Sequence, residues 1–331
     1  MDRRVAPRLR VHIVHRPPDD ALRILEADLA DGIEITTGPD PAPADVLVDG
    51  RPSRAQLAAC PDLRALIVPY AGIPAETRGL LLTDFPDLAV HNLHHNAAAA
   101  AELAVALLLA AAKTLLPADR ALRTGNWRTR YGGLLTILLE GKHVVILGLG
   151  AIGARVAAIC RAFRMDVSAV RRHVDRPAST DVEVHPPESL HELLPQADIL
   201  ILCLPLTPET EGLIGARELA LLRPSAVLVN IARGAIVDEE ALYRALANRR
   251  LAAAGIDVWY RYPQTPEERA NTPPSRFPFH ELDHVVLSPH RGGAFRTEAL
   301  EAQRMHDLAV SLNAAARGAP IPHLVDLAEG Y

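Results

Sequence analysis

The stretch from His143 to Phe163, HVVILGLGAIGARVAAICRAF, constrains this chain more than any other. Five residues suited to a buried strand run into Gly148, Gly150 and Gly153, spaced as GxGxxG, and then into an amphipathic helix-forming segment. In such a junction the first glycine makes the tight turn, the second lets the backbone approach a pyrophosphate, and the third lets the helix pack closely on the strand. The N–H groups of the first helical turn, here around Ala151 and Ile152, then point at the phosphates with the positive end of the helix dipole behind them. A glycine turn without a ligand is the competing reading. The strand before and the helix after weigh against it.

The same rhythm extends along the chain. After Gly153, the runs DVSAV (166–170), ADILILCL (197–204), AVLVNIA (226–232), AAAGIDV (252–258) and HVVLSPH (284–290) are nearly continuous in Val, Ile, Leu and Ala. That is the pattern of parallel strands covered by helices on both faces. Before it, VHIV (11–14), DVLV (45–48), ALIV (65–68) and LAV (88–90) alternate with helical or turn-rich stretches. An α/β architecture with two sheets is expected. The Ala/Leu-rich segment Ala97 to Leu116 reads as a buried connecting helix ending at Pro117, and Glu298 to Ala316 reads as a final helix returning to the first domain. At 331 residues there is enough chain for two cores, and 49% hydrophobic with 23% charged residues is ordinary globular composition.

Composition also excludes partners. A net charge of −5 lacks the basic excess of a phosphate-backbone binder, so no nucleic acid is expected. Three cysteines, Cys60, Cys160 and Cys203, form neither a disulfide framework nor a CxxC metal pattern. The basic N-terminal stretch lacks the apolar core of a signal peptide, and the longest apolar run, Leu103 to Ala112, is too short to span a bilayer. A cytoplasmic protein without a membrane partner is expected.

A dinucleotide unit that takes NAD usually places an acidic residue at the end of its second strand, where it meets the adenosine ribose. Here DVSAV ends in Arg171-Arg172, and Asp166 stands at the opposite end of that strand. Two guanidinium groups suit a 2′-phosphate, so NADP is favoured over NAD. A solvated arginine pair is the alternative.

The run LEGKHVVILGLGAIG (139–153) resembles the opening of the cofactor domain of the D-isomer-specific 2-hydroxyacid dehydrogenases, and CLPLTPETEGLI (203–214), LVNIARGAIVDEEAL (228–242), GIDVW (255–259) and SPHRGG (288–293) resemble that family in order and spacing. The resemblance implies a doubly wound, Rossmann-like cofactor domain at residues 98–293, inserted into a flavodoxin-like substrate domain formed by residues 1–97 and 294–331. It implies an oxidoreductase that moves a hydride between the nicotinamide cofactor and a small 2-hydroxy or 2-oxo acid held in the interdomain cleft. Arg233 would hold the substrate carboxylate and polarise the carbonyl, and His290 would exchange the proton. Leu204, Pro205, Thr210, Ile231, Ala232 and Asp257 would line the cofactor. Ala71, Gly72 and Asn96 would meet the substrate, the first two through backbone N–H groups. The segment Leu103 to Leu138, including Trp127, would build a homodimer interface. Read without the family, Arg233 is a structural ion-pair residue, His290 a loop histidine and Leu204 or Ile231 simple core.

One position departs from the family pattern. The slot that usually carries the glutamate partner of the catalytic histidine holds Tyr262, which leaves the proton-transfer half of the chemistry less supported than the hydride half. Glu267, Glu268 and Glu281 nearby read first as solvated loop charge and second as replacement partners. Because formate dehydrogenases of this kind carry a neutral residue in the slot, oxidation of formate or another small oxyanion is an alternative function. A catalytically weak dinucleotide-binding regulator is another. His91, His94 and His95 cluster without Cys or Asp ligands, so no metal is expected there and a place near the substrate suits them better.

Overall fold

The computed structural model describes residues 9–133, 136–175, 182–293 and 297–330, and within them the βα rhythm becomes two all-parallel sheets. The chain divides into one compact unit of Met1–Asn96 with Arg296–Tyr331 and another of Ala97–Phe295. Residues 1–8, which open the basic N-terminal stretch, residues 134 and 135 of the expected interface segment, and residues 294–296 at the expected domain boundary lie outside the described residues.

The first unit contains β1 (Leu9–Ile13), β2 (Ile33–Thr37), β3 (Val46–Val48), β4 (Ala65–Val68) and β5 (Ala89–Asn92), in the order β2-β1-β3-β4-β5. This is the flavodoxin-like winding. Alternate strand residues feed opposite faces: Val11, Val46 and Ile67 join Met305, Leu308 and Leu312 of the Glu298–Ala316 helix, while Leu47, Leu66 and Val68 pack with Leu57 and Leu81. The final helix therefore packs on the sheet of the first unit, as its sequence suggested.

The second unit contains β6 (His143–Leu147), β7 (Asp166–Val170), β8 (Glu183–His185), β9 (Ile199–Leu202), β10 (Val227–Asn230), β11 (Ala253–Ile256) and β12 (Val285–Leu287). Their order is β12-β11-β10-β9-β6-β7-β8, a Rossmann winding with one added strand. Val145, Leu147, Leu200 and Leu202 enter one core and Val144, Ile146, Ile199 and Ile201 the other, which is why these strands read as unbroken apolar runs. Truncating any of these leucines to Ala would cost about 2–5 kcal/mol.

The structure adds two strands and corrects one boundary. The strands β2 and β8 were not legible as apolar runs, because they are edge strands with only partly buried residues: IEITT alternates apolar and polar, and EVH is three residues long. The Ala/Leu-rich helix ends at Ala112 rather than at Pro117. Thr114 turns into the left-handed region at φ 49°, and Pro117 sits in the first turn of the next helix, Leu115–Arg123, where a missing N–H is harmless.

Candidate active site

Strand register gathers the functional candidates of the second unit along one sheet edge. Val170, Leu147, Leu202, Asn230, Ile256 and Leu287 stand opposite one another across the sheet. Each candidate lies a few residues beyond that row, at the carboxyl ends of the strands, where open α/β sheets bind ligands.

The glycine junction follows β6. Gly148 has φ +94°, and a Cβ there would stand 2.8 Å from the Cys203 carbonyl oxygen and the Leu204 nitrogen. At Gly153 a Cβ would meet the Gly148 oxygen at 2.0 Å. These two glycines are required by the fold itself. Gly150 differs: its φ is −87°, and an added Cβ would meet nothing within 4 Å. It caps the Ala151–Ala162 helix, whose first turn carries no acidic residue and no side-chain cap. Open space over a bare helix N-terminus fits a pyrophosphate. Next to it, Gly148 N–H donates to Val170 O (2.8 Å), so Arg171 and Arg172 emerge beside the glycine turn. Arg171 Nη2 donates to Val174 O (3.4 Å), and Arg172 Nη2 pairs with Glu209 Oε2 (3.4 Å). Asp166 is exposed at the far end of β7.

Beyond β9, Leu204 and Pro205 open a loop folded by Thr210, whose hydroxyl accepts from Thr207 N–H (2.7 Å) and donates to Pro205 O (2.7 Å). Thr210 is thus tied into its own turn. Ile231 and Ala232 are buried on opposite cores.

Arg233, Tyr262 and His290 come together on the loops after β10, β11 and β12. Asn230, almost fully buried, accepts from Ala232 N–H and donates from Nδ2 to Arg233 O, both at 3.0 Å, which closes the arginine turn. Gly234 permits close approach: a Cβ there would lie 2.5 Å from Trp259 O. Trp259 is the hub of the three loops. Its indole N–H donates to Ser288 O (2.8 Å), and its backbone N–H donates to the Tyr262 hydroxyl (2.9 Å).

Asp257, expected to line the cofactor, is almost fully buried and accepts on both carboxylate oxygens. One carboxylate oxygen accepts from Ser288 Oγ (2.5 Å) and Arg291 N–H (2.7 Å), and the other accepts from Gly292 N–H (2.8 Å). It therefore grips the chain on both sides of His290, which adopts a left-handed φ of +57°. Such a conformation is uncommon for a non-glycine residue, although histidine adopts it more often than most.

Tyr262 stands with its ring centroid 5.6 Å from that of His290, tilted by 54°. Its hydroxyl oxygen accepts from Trp259 N–H, and the two rings lie side by side. Among the described residues no carboxylate is hydrogen-bonded to His290, and the loop acids are engaged elsewhere: Glu268 accepts from Gln264 N–H (2.7 Å), Thr265 and its own backbone hold Glu267, and Glu281 faces His280. His290 and Arg233 keep solvent-accessible edges, yet the protein around them desolvates both. Burial lowers the pKa of His290 first and the Arg233 cation lowers it further, against the opposing charge of Asp257. Burial also lowers that of Arg233, which remains a cation, and raises that of Tyr262.

Ala71, Gly72 and Asn96 belong to the other unit, on the loops after β4 and β5. Asn92 Nδ2 donates to Ala71 O (2.7 Å), and the buried Asn96 Oδ1 and His95 Nδ1 lack partners among the described residues. His91 Nδ1 bonds to Pro322 O (2.9 Å), and His94 packs edge-on against His323, its pKa pushed down to about 4 by burial first. Asn230, Trp259, Ser288 and Asn92 were missed in the sequence. Only Trp259, one of two tryptophans, offered a signal.

The family model described as "D-isomer specific 2-hydroxyacid dehydrogenase, NAD binding domain" matches residues 105–292. The chain is 40% identical over 237 residues to the glyoxylate reductase of Aeropyrum pernix, covering 69% of this chain and 66% of that protein. It is 34% identical over 221 residues to the D-3-phosphoglycerate dehydrogenase of Methanocaldococcus jannaschii, covering 66% of this chain and 38% of that one. The matched length is under two thirds of either relative. A crystal structure of a D-isomer specific 2-hydroxyacid dehydrogenase from Xanthobacter autotrophicus Py2, in complex with NADPH and MES, is similar with a TM-score of 0.79 at 25% identity, covering 98% of this chain and 100% of that one.

Proposed function

Because this chain belongs to the D-isomer specific 2-hydroxyacid dehydrogenase family, we propose that it is an oxidoreductase transferring a hydride between a nicotinamide dinucleotide and a small 2-hydroxy or 2-oxo acid. One observation carries this reading: Arg233 and His290 share an electrostatic neighbourhood on the strand-end edge that also holds the Gly148 turn.

When bound, the nicotinamide supplies the hydride. Gly148, Gly150, Ala151, Ile152 and Gly153 would hold the dinucleotide phosphates, with Leu204, Pro205, Thr210, Ile231 and Ala232 flanking it. Arg233 pairs with the substrate carboxylate and polarises the carbonyl through its planar fork of donors. His290, protonated, donates to the oxygen that becomes the hydroxyl, and Asp257 keeps its loop in place. Ala71 and Gly72 offer backbone N–H groups to the carboxylate, and Asn96 a polar contact. Arg171 and Arg172 favour NADP, with NAD as the second cofactor; the NADPH bound in the Xanthobacter relative supports that order.

The unit of residues 1–97 and 294–331 acts as the substrate domain and residues 98–293 as the cofactor domain. A homodimer is supported by the Leu115–Arg123 helix, which buries none of its residues, and by exposed Leu122, Trp127 and Leu138 nearby. Among the described residues no single helix is long and apolar enough to cross a membrane. With free cysteines and a net charge of −5, this suits a cytoplasmic enzyme without nucleic-acid or membrane partners.

The test is a panel of 2-oxo acids, formate and phosphite, followed by nicotinamide absorbance with each cofactor. Reduction of a 2-oxo acid by NADPH is the expected result. The missing carboxylate partner of His290 favours a second reading, oxidation of formate or a similar oxyanion, which turnover of only those donors would select. Cofactor binding without any turnover would select a regulator.

A further inference from the structure

We propose that Asn92 is a positioning residue that fixes the direction of the Gly72 N–H toward the substrate carboxylate, and that the C-terminal strand-like segment holds Asn92 in register for that task. The proposal rests on the assignment of the Ala71–Gly72 loop to substrate made above.

Asn92 ends β5 and is almost fully buried. Its side-chain Nδ2 donates to the Ala71 carbonyl at 2.7 Å. The Ala71 carbonyl and the Gly72 N–H belong to one planar trans peptide and point in opposite directions. Anchoring the carbonyl on Asn92 therefore turns the Gly72 N–H away from β5. Among the described residues neither Ala71 nor Gly72 donates its N–H to a protein acceptor. On the upstream flank, Tyr70 lies so close over Gly50 that a Cβ there would overlap its hydroxyl, which fixes the entry to the loop. The loop is thus clamped on both sides while its donors stay available.

Asn92 is itself held from the other direction. Its backbone N–H donates to His323 O (3.2 Å), Val325 N–H donates to Val90 O (2.8 Å), and His91 and Leu324 form an antiparallel bridge. Arg78 then ties the end of the segment through Leu327 O (2.7 Å) and Ala328 O (2.6 Å). Residues 322–328 cover the otherwise open edge of β5, so the register of the chain's last residues sets where the Asn92 amide stands.

The experiment uses the full chain loaded with NADPH and titrates oxamate, a non-reducible mimic of a 2-oxo acid, by quenching of the bound cofactor's fluorescence. Asn92→Asp keeps the side-chain volume and removes the donor, and its oxamate Kd should rise about tenfold or more. NADPH affinity should stay within about twofold, since no cofactor candidate is touched. The deficit relative to wild type should narrow as pH falls, because the introduced carboxyl group regains a donor on protonation. Asn92→Ser, too short to reach Ala71, should show the deficit without that recovery. Oxamate affinity equal to wild type in both variants overturns the proposal. A crystal structure of Asn92→Asp decides the positioning step separately: a turned Ala71–Gly72 peptide supports it, and an unmoved one overturns it. If wild-type protein binds no oxamate and reduces no 2-oxo acid, the substrate assignment falls, while that crystal structure still decides whether Asn92 sets the peptide.

Discussion

Each unit has the same structural slot, the junction from its first strand to the helix that follows, and the two slots are built from opposite chemistry. After β1 the chain runs through His15-Arg16-Pro17-Pro18 into the Asp19–Asp28 helix, without a glycine and with Asp19 and Asp20 in the first helical turn. After β6 it runs through Gly148-Leu149-Gly150 into a helix whose first turn carries no acid. In the first unit two carboxylates already lie at the positive end of the helix, each worth about 0.3–1 kcal/mol there, and an incoming phosphate would meet like charge. In the second that end is bare and the backbone is open to approach. Both junctions serve the same winding equally well, so the fold permits a phosphate site and the local residues decide whether there is one.

Several substitutions can break or sharpen this contrast. The largest effect is expected at the chemistry that only the second unit carries: Arg233→Gln should lower kcat/KM for a 2-oxo acid by at least about a hundredfold, with NADPH still bound. Unchanged steady-state kinetics would remove Arg233 from the reaction. The glycine junction comes next. Gly150→Ala should fold normally, since its Cβ meets nothing within 4 Å, and should weaken NADPH binding by about tenfold or more by crowding the proposed phosphate position. Gly153→Ala should instead lower thermal stability by about 1–3 kcal/mol, since its Cβ meets backbone. In the matching slot, Asp19→Asn with Asp20→Asn should leave NADPH affinity within about twofold, and a larger change would mean that the two junctions are not functionally distinct. Arg171→Asp with Arg172→Ser should shift preference from NADPH toward NADH by about tenfold. Tighter binding of NADH than NADPH by the unmodified protein would defeat that inference.

The smallest effect concerns pH. With His290 as the proposed proton donor and its pKa below the ordinary 6.5, the rate of reduction should be full in acid and fall as pH rises through that lowered value. Tyr262→Glu would place a carboxylate beside the ring and should move this limb upward by about one pH unit. Profiles of kcat/KM for the two proteins make the comparison, and coincident limbs would show that position 262 does not govern the histidine.

What could be read from the sequence follows from how each residue does its work. The glycine turn and the buried strands were legible because they depend on spacing and on continuous apolar runs, as in HVVIL and DILILCL. Arg233 and His290 were singled out only by the family resemblance of their flanking segments, and the structure places them near each other. The left-handed turn at His290 was not legible, since the Asp257 bonds that follow it reach Arg291 and Gly292, 34 and 35 residues on in sequence. Nor was the hub at Trp259, whose partner Ser288 lies 29 residues on. The role of Asn92 depends on the segment that closes the chain. The edge strands β2 and β8 were lost for a simpler reason: strands that bury one face weakly carry no apolar signature.

The two tryptophans give this protein a pair of natural lamps in contrasting surroundings. Trp127 is 61% exposed, whereas Trp259 is 6% exposed and bonded through its indole nitrogen to the residue that begins the histidine loop. Iodide will extinguish the first and spare the second. The emission that survives comes from the junction of the three loops alone, so rearrangement around His290 can be watched in real time without a label. If two copies associate through the Trp127 face, iodide will lose its access, and dilution will restore it.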